Sequence, residues 1–225
     1  MQIVLVSSPG PGPGPHWSQL LAADFARAAA QRGAAVRWLP ALHPGQEAPA
    51  CGPGVQVAPV RRRRSWWLHE AAAGAAASAM ELALTESLRA APLSAVVHVG
   101  LGGQGTPNVC WLAERLGSRT YAFARGAELV CHRSHLLATS ERPCRGQDGV
   151  DACPWCVDGG QPSAAASIEL RTREDNLVAA LQTCATVVVP APADAEVVRG
   201  LGVRAERVSV GASAGALAQL VLTKG

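Results

Sequence analysis

MQIVLVSSPGPGPGPHWSQLLAADFARAAAQRGAAVRWL, residues 1–39, decides the fold. The first eight residues are a continuous β-branched and aliphatic run that closes on two serines, the pattern of a parallel strand buried on both faces. Alternating prolines and glycines then make a loop that is rigid at one residue and permissive at the next. From Ser18 to Arg32 the residues Leu20, Leu21, Phe25, Ala28 and Ala29 recur at helical spacing, with Ser18 placed to cap the helix and Gly33 to end it. Ala35 to Leu39 reads as the second strand. Strand, glycine-containing loop, helix and strand make a βαβ unit, and its crossover is right-handed. The expected class is therefore α/β, a Rossmann-like doubly wound fold with a mostly parallel sheet and helices on both faces.

The remaining chain repeats that grammar. Residues 40–65 hold prolines, glycines and four consecutive arginines, and read as a surface excursion with a short strand at Val55 to Val60. An alanine-rich helix is expected from Trp66 to Ala91, stopped by Pro92. Strands follow at Ser94 to Val99, Arg119 to Ala124, Thr186 to Val189 and Arg207 to Val210. Helices are expected at Pro107 to Leu116, Ile168 to Leu181, Ala193 to Leu201 and Ala214 to Leu222. No internal repeat or linker interrupts this order, so residues 1–225 read as one domain with a cysteine-rich insertion at 131–156.

Composition narrows the function. The chain is 48% hydrophobic, mostly Ala, Leu and Val, and two Phe with one Tyr leave few aromatic anchors for so large a core, six Trp being the exception. A net charge of +3 is mild and argues against wholesale nucleic-acid binding, and the positive excess is local, in Arg61 to Arg64. That run stands near Trp66 and Trp67, the pairing of basic and aromatic groups found at anionic lipid surfaces, or else a solvated loop packing one tryptophan. No secretory signal or membrane-spanning stretch is read, which places the chain in the cytoplasm, where thiols stay reduced.

CHRSHLLATSERPCRGQDGVDACPWC, residues 131–156, carries four of the seven cysteines. Cys153 and Cys156 form a C-x2-C pair able to hold one tetrahedral ion, and Cys131 with Cys144 would complete a four-thiolate structural zinc shell. Disulfides, unligated buried thiols or a cysteine-ligated iron–sulfur cluster are the other readings, and His132 and His135 are spare nitrogen ligands. A closed shell of this kind staples a long insertion that lacks its own core, and leaves no open position for chemistry.

In open parallel sheets, ligands bind beyond the C-terminal ends of the strands. Three loops lie there: Pro9 to His16, Gly100 to Gly105, and Arg125 to Cys131. The candidate substrate-binding residues are accordingly Gly12, Gly14 and His16 in the first, Gly102 and Gly103 in the second, Arg125 and Glu128 in the third, and His98 at a strand end. The glycines either admit backbone to a ligand or only make tight turns. His98 is either a ligand-binding group or general base facing the cleft, or a histidine packed and satisfied at the sheet edge. No nucleotide site is recognised, since the prolines of the first loop remove donors that a phosphate cradle needs and the loop is not GxGxxG. No catalytic set can be assigned from residue order.

The order of these pieces resembles the N-terminal half of family 4 glycosyltransferases, retaining enzymes with two Rossmann-like domains (the GT-B type). IVLVSSPGPGPGPHWSQLLAADFARAAAQRGAAVRWL is similar to their first strand, glycine loop, helix and second strand, and VVHVGLGG with WLAERLGSRTYAFARGAELVC to their fourth and fifth strands. A subset of the family has a cysteine-containing segment that residues 131–156 resemble, and VVVPAPADAEVVRGLGVRAERVSVGASAG is similar to the segment that leaves the first domain. Arg125 stands where the family commonly has a histidine, and the closing turn is GASAG where the family has an asparagine. The resemblance implies a domain that binds a glycan or lipid-linked acceptor, peripheral to the inner membrane face through Arg61 to Arg64. It also implies a donor-binding partner chain, because the family's nucleotide-sugar site and glutamate pair lie in its C-terminal domain, so hexosyl transfer by this chain alone is not expected. Two rival classes are a non-catalytic scaffold with a metal-stapled docking loop and a small self-sufficient Rossmann enzyme. The absent phosphate fingerprint speaks against the latter.

Overall fold

The computed structural model describes residues 1–8, 16–42, 45–61, 78–91, 95–101, 108–131, 164–211 and 213–224. Eight strands alternate with helices: β1 Gln2–Ser7, α1 Trp17–Gln31, β2 Ala35–Leu42, β3 Val55–Val57, β4 Val60–Arg61, α2 Ser78–Ala90, β5 Ala95–Val99 and α3 Asn108–Arg115. Then come β6 Thr120–Phe123, α4 Gly126–Val130, α5 Ala164–Thr183, β7 Thr186–Val189, α6 Pro192–Gly200, a 3-10 turn Ala205–Arg207, β8 Val208–Val210 and α7 Ala214–Lys224.

The sheet runs β3-β2-β1-β5-β6-β7-β8, with β4 beside the far end of β2. Every described pairing is parallel, so each strand needs a crossover. The chain leaves β1 toward β2 and β3, then returns to build β5 to β8 on the other side of β1. That reversal makes the gap between β1 and β5 a topological switch point.

Alternation along the strands divides the core. Ile3, Leu5, Val97, Val99, Tyr121 and Phe123 pack with Phe25 of α1 and Leu217 of α7. Val4, Val6 and Val96 turn instead to Met80, Leu84 and Leu88 of α2 and Val109 of α3. Ala122, Val187 and Val189 pack under Leu177 and Leu181 of α5 with Val198 of α6. Both faces of the central strands are thus covered, which is why they read as unbroken apolar runs. The one polar residue inside β5 is His98, and it is fully buried.

The expected strands and helices form with ends displaced by a few residues, α5 being the longest extension, from Ala164 to Thr183, and β2 the longest among the strands, to Leu42. The expected strand at 55–60 divides into β3 and β4. Of the expected helix from Trp66, residues 78–90 are described and the earlier part lies outside the described residues. The segment 125–131, expected as a loop, contains the helical turn α4.

Candidate functional site

Two of the three expected loops converge on the switch point through side chains at their ends. His16, at the N-terminal edge of α1, sits in extended backbone (φ −84°, ψ 157°). It is the cap of that helix. Ser18, expected in that role, lies inside the first turn, and its hydroxyl donates instead to the Ser8 carbonyl at 2.8 Å. Gln19 reaches back so that its side-chain oxygen accepts the His16 N–H at 3.2 Å, an arrangement that satisfies a donor which the helix itself leaves open.

Ser18 and the Gln19 backbone place opposite demands on His16 Nδ1. The Ser18 hydroxyl donates to the Ser8 carbonyl and lies 2.9 Å from Nδ1. The Gln19 N–H bonds the His16 carbonyl at 3.0 Å and also meets the His16 side chain as the other half of the capping box. Burial, with the Arg125 charge second, holds the His16 pKa below its ordinary value.

Glu128 of α4 faces Nε2, the other ring nitrogen. Its Oε1 lies 3.9 Å from His16 Nε2 and accepts a hydrogen bond from the Trp17 indole N–H. Its Oε2 is buried and has no partner among the described residues. Desolvation raises the Glu128 pKa to about 7, against the smaller opposing effects of the Trp17 bond and the Arg125 and Arg173 charges. Arg125 stacks over the Trp17 ring, 4.3 Å from its centroid, and Phe123 approaches the same ring at 6.0 Å. A tryptophan that the sequence reading passed over is thus the hinge pin of the site. Its position beside His16 at a helix start was the available signal.

A five-residue turn cannot hold Glu128 unaided. Asp194 of α6 accepts the Gly126 N–H at 2.7 Å, and Arg173 of α5 donates to the Glu128 carbonyl at 3.0 Å. On the other flank Gly100 adopts φ +84°, and a Cβ there would stand 2.8 Å from that of Ser18. The strand-to-loop turn after β5 and the start of α1 are fitted with no room for a side chain.

His98 is placed differently. It belongs to β5, inside the sheet and away from its edges, with Nε2 3.5 Å from Ser8 Oγ and Nδ1 4.0 Å from Cys110 Sγ. Burial lowers its pKa to about 4. Cys110 lies 3.8 Å from Cys184, and that contact together with burial keeps its thiol well above the usual range. Cys131, buried, directly follows α4. The other expected metal ligands, Cys144, Cys153 and Cys156, lie outside the described residues, as do Gly12, Gly14, Gly102, Gly103 and Arg62 to Arg64. Among the described residues no group of three or more metal-ligating side chains converges, and no helix is long and apolar enough to cross a membrane.

UGT2 of Phytolacca americana, solved with UDP-2fluoro-glucose and pterostilbene, has a TM-score of 0.53 to this chain at 16% identity, covering 93% of this chain and 53% of that one. The UDP-GlcNAc 2-epimerase of Methanocaldococcus jannaschii gives 0.51 at 10% identity, covering 100% and 50%. Os79 from O. sativa in complex with UDP gives 0.51 at 17%, covering 92% and 51%. This is the Rossmann-like fold of GT-B proteins. The chain spans about half the length of these structures. No family model and no curated protein sequence matches it.

Proposed function

We propose that this chain is the acceptor-binding half of a glycosyltransferase of the family 4 type, which transfers a hexosyl group together with a donor-binding partner. The observation that carries this reading is the cluster of His16, Trp17, Arg125 and Glu128 at the switch point of a fold that spans half of nucleotide-sugar proteins. An imidazole with a lowered pKa, a carboxyl that titrates near 7 and an aromatic face suit a hydroxyl-bearing ligand better than a phosphate, which would call for a denser array of donors. Stabilising a departing nucleotide diphosphate requires such donors, so the transfer step belongs to the partner's contribution.

The resemblance also supports a structural zinc ion at Cys131, Cys144, Cys153 and Cys156. Because Cys131 is the residue after α4, a metal there would tether the turn that bears Glu128. About one zinc per chain in the purified protein, lost in Cys153→Ser, is the expected result. Arg61, exposed on β4, begins the basic run that would meet an anionic membrane carrying a lipid-linked acceptor.

The test is titration of the purified chain with UDP-glucose by calorimetry and with a panel of methyl glycosides by tryptophan fluorescence, repeated in Trp17→Phe. The expected outcome is glycoside binding that reports through Trp17, with no turnover of UDP-glucose. Hydrolysis of UDP-glucose by the chain alone overturns the reading. Failure of every glycoside to bind would shift support to the scaffold class.

A further inference from the structure

Arg125 is exposed at the end of β6, and its guanidinium carbon lies 4.3 Å from the centre of the Trp17 ring. That ring is itself fixed, by its indole N–H on Glu128 Oε1 and by tilted contacts with His16 at 5.6 Å and Phe123 at 6.0 Å. A guanidinium laid over an aromatic face keeps its five N–H donors at the rim of its own plane. Among the described residues no oxygen accepts from that rim and no carboxylate pairs with it. Glu128 is near, but its Oε1 takes the Trp17 N–H and its side chain is 3% exposed. The cation is open to solvent, and the neighbouring carboxyl is not.

We propose that Arg125, seated on Trp17, binds a carboxylate of the ligand through its free N–H rim, so that the sugar taken at this mouth is an acidic one, a uronate. The proposal rests on the acceptor-binding reading and names the substrate class of that same site. The guanidinium fork matches a planar carboxylate with two parallel N–H···O bonds, whereas a phosphate dianion calls for more donors than one arginine supplies. The other charged and titratable groups around this point are His16 from α1, Glu128 of the same turn, Arg173 from α5 and Asp194 from α6. Asp194 is engaged by the Gly126 N–H and Arg173 by the Glu128 carbonyl. Desolvation raises the Glu128 pKa to about 7, with the Arg125 charge among the smaller effects opposing it, so below neutrality that carboxyl is largely uncharged. An incoming carboxylate therefore meets an exposed cation first, and an ammonium at the same point meets repulsion.

The experiment is calorimetric titration of the purified full chain at pH 6.0, where Glu128 is mostly protonated. The probes share one ring: methyl α-glucuronide, its uncharged methyl ester and methyl α-glucoside. The uronate should bind roughly tenfold more tightly than the ester or the glucoside, the contribution of one charge-assisted pair at a partly exposed position. Arg125→Gln should erase that difference. Arg125→Lys should restore only part of it, because an ammonium carries the charge without the fork. The comparison of uronate with ester on the parent chain needs no variant, so a poorly folding substitution does not block it. A uronate that binds no more tightly than its ester, a preference that survives Arg125→Gln, or tighter binding of glucose 1-phosphate than of the uronate overturns the proposal while the acceptor reading stands. If none of these sugars binds, both fall.

Discussion

Two histidines at the C-terminal end of one sheet meet opposite fates, and a single serine touches both of their surroundings. The Ser8 hydroxyl lies toward His98, and its carbonyl accepts from Ser18, which positions His16. His98 is sealed below the mouth against Cys110, has no charged partner among the described residues, and is held neutral by burial. His16 keeps a side chain 20% exposed and turns Nε2 toward a carboxyl 3.9 Å away. Burial alone makes a histidine a packing residue. Partial burial, with one ring nitrogen held by the helix start and the other turned to a carboxyl, suits it to recognition.

The most severe way to break this contrast is to charge each position. His98→Asp should cost about 4 kcal/mol or more and abolish a cooperative urea transition. His16→Asn retains a good cap and should stay within about 1 kcal/mol of the parent by the same measurement.

Acidity separates the two regions next. The His98 pKa is depressed from 6.5 to about 4 on folding, so its contribution to stability is present above pH 6.5 and lost as pH falls through 4. The Glu128 pKa is raised from 4.5 to about 7, so its contribution is fully present below pH 4.5 and lost as pH rises through 7. Each is on the order of 3 kcal/mol, of opposite slope. Between pH 4.5 and 6.5 they offset in the parent. Urea midpoints of Glu128→Gln should therefore climb with pH over that interval, while those of His98→Gln should fall from pH 4.5 to 7.

Gly100→Ala asks whether the seam between the two sites tolerates a methyl group. Positive φ and the contact with Ser18 predict a loss of roughly 1–3 kcal/mol, with the NMR signal of His16 displaced. Trp17→Phe should cost about 1 kcal/mol. By removing a bond that lowers the Glu128 pKa, it should also move that titration above 7, as followed by carboxyl NMR. The smallest effect belongs to Arg125→Gln, which should raise the His16 pKa slightly, because the Arg125 charge is the lesser of the two influences depressing it.

The strands were legible because both faces of a parallel sheet are covered, and MQIVLVSS and SAVVHV have no polar alternation to confuse. His16, Arg125 and Glu128 were legible as positions, since strand ends mark the mouth of such a sheet. Their connections were not. Ser18 is the stronger cap by propensity, but a carbonyl ten residues earlier takes its hydroxyl, and only the tertiary fold brings that carbonyl near. Residues 126–130 carry no helical period long enough to read, and the turn forms because α5 and α6 supply its partners. The expected zinc ligands beyond Cys131 and the glycines of the first two loops fall outside the described residues.

That borrowed turn bears on how the protein would look to a geneticist. Asp194 stands 68 residues from Gly126 and Arg173 stands 45 from Glu128, yet each fixes the backbone that carries the carboxyl. A screen for variants that fold but no longer recognise their ligand would return both. It would point to the outer helices of the second half of the chain, far along the sequence from the carboxyl they hold in place.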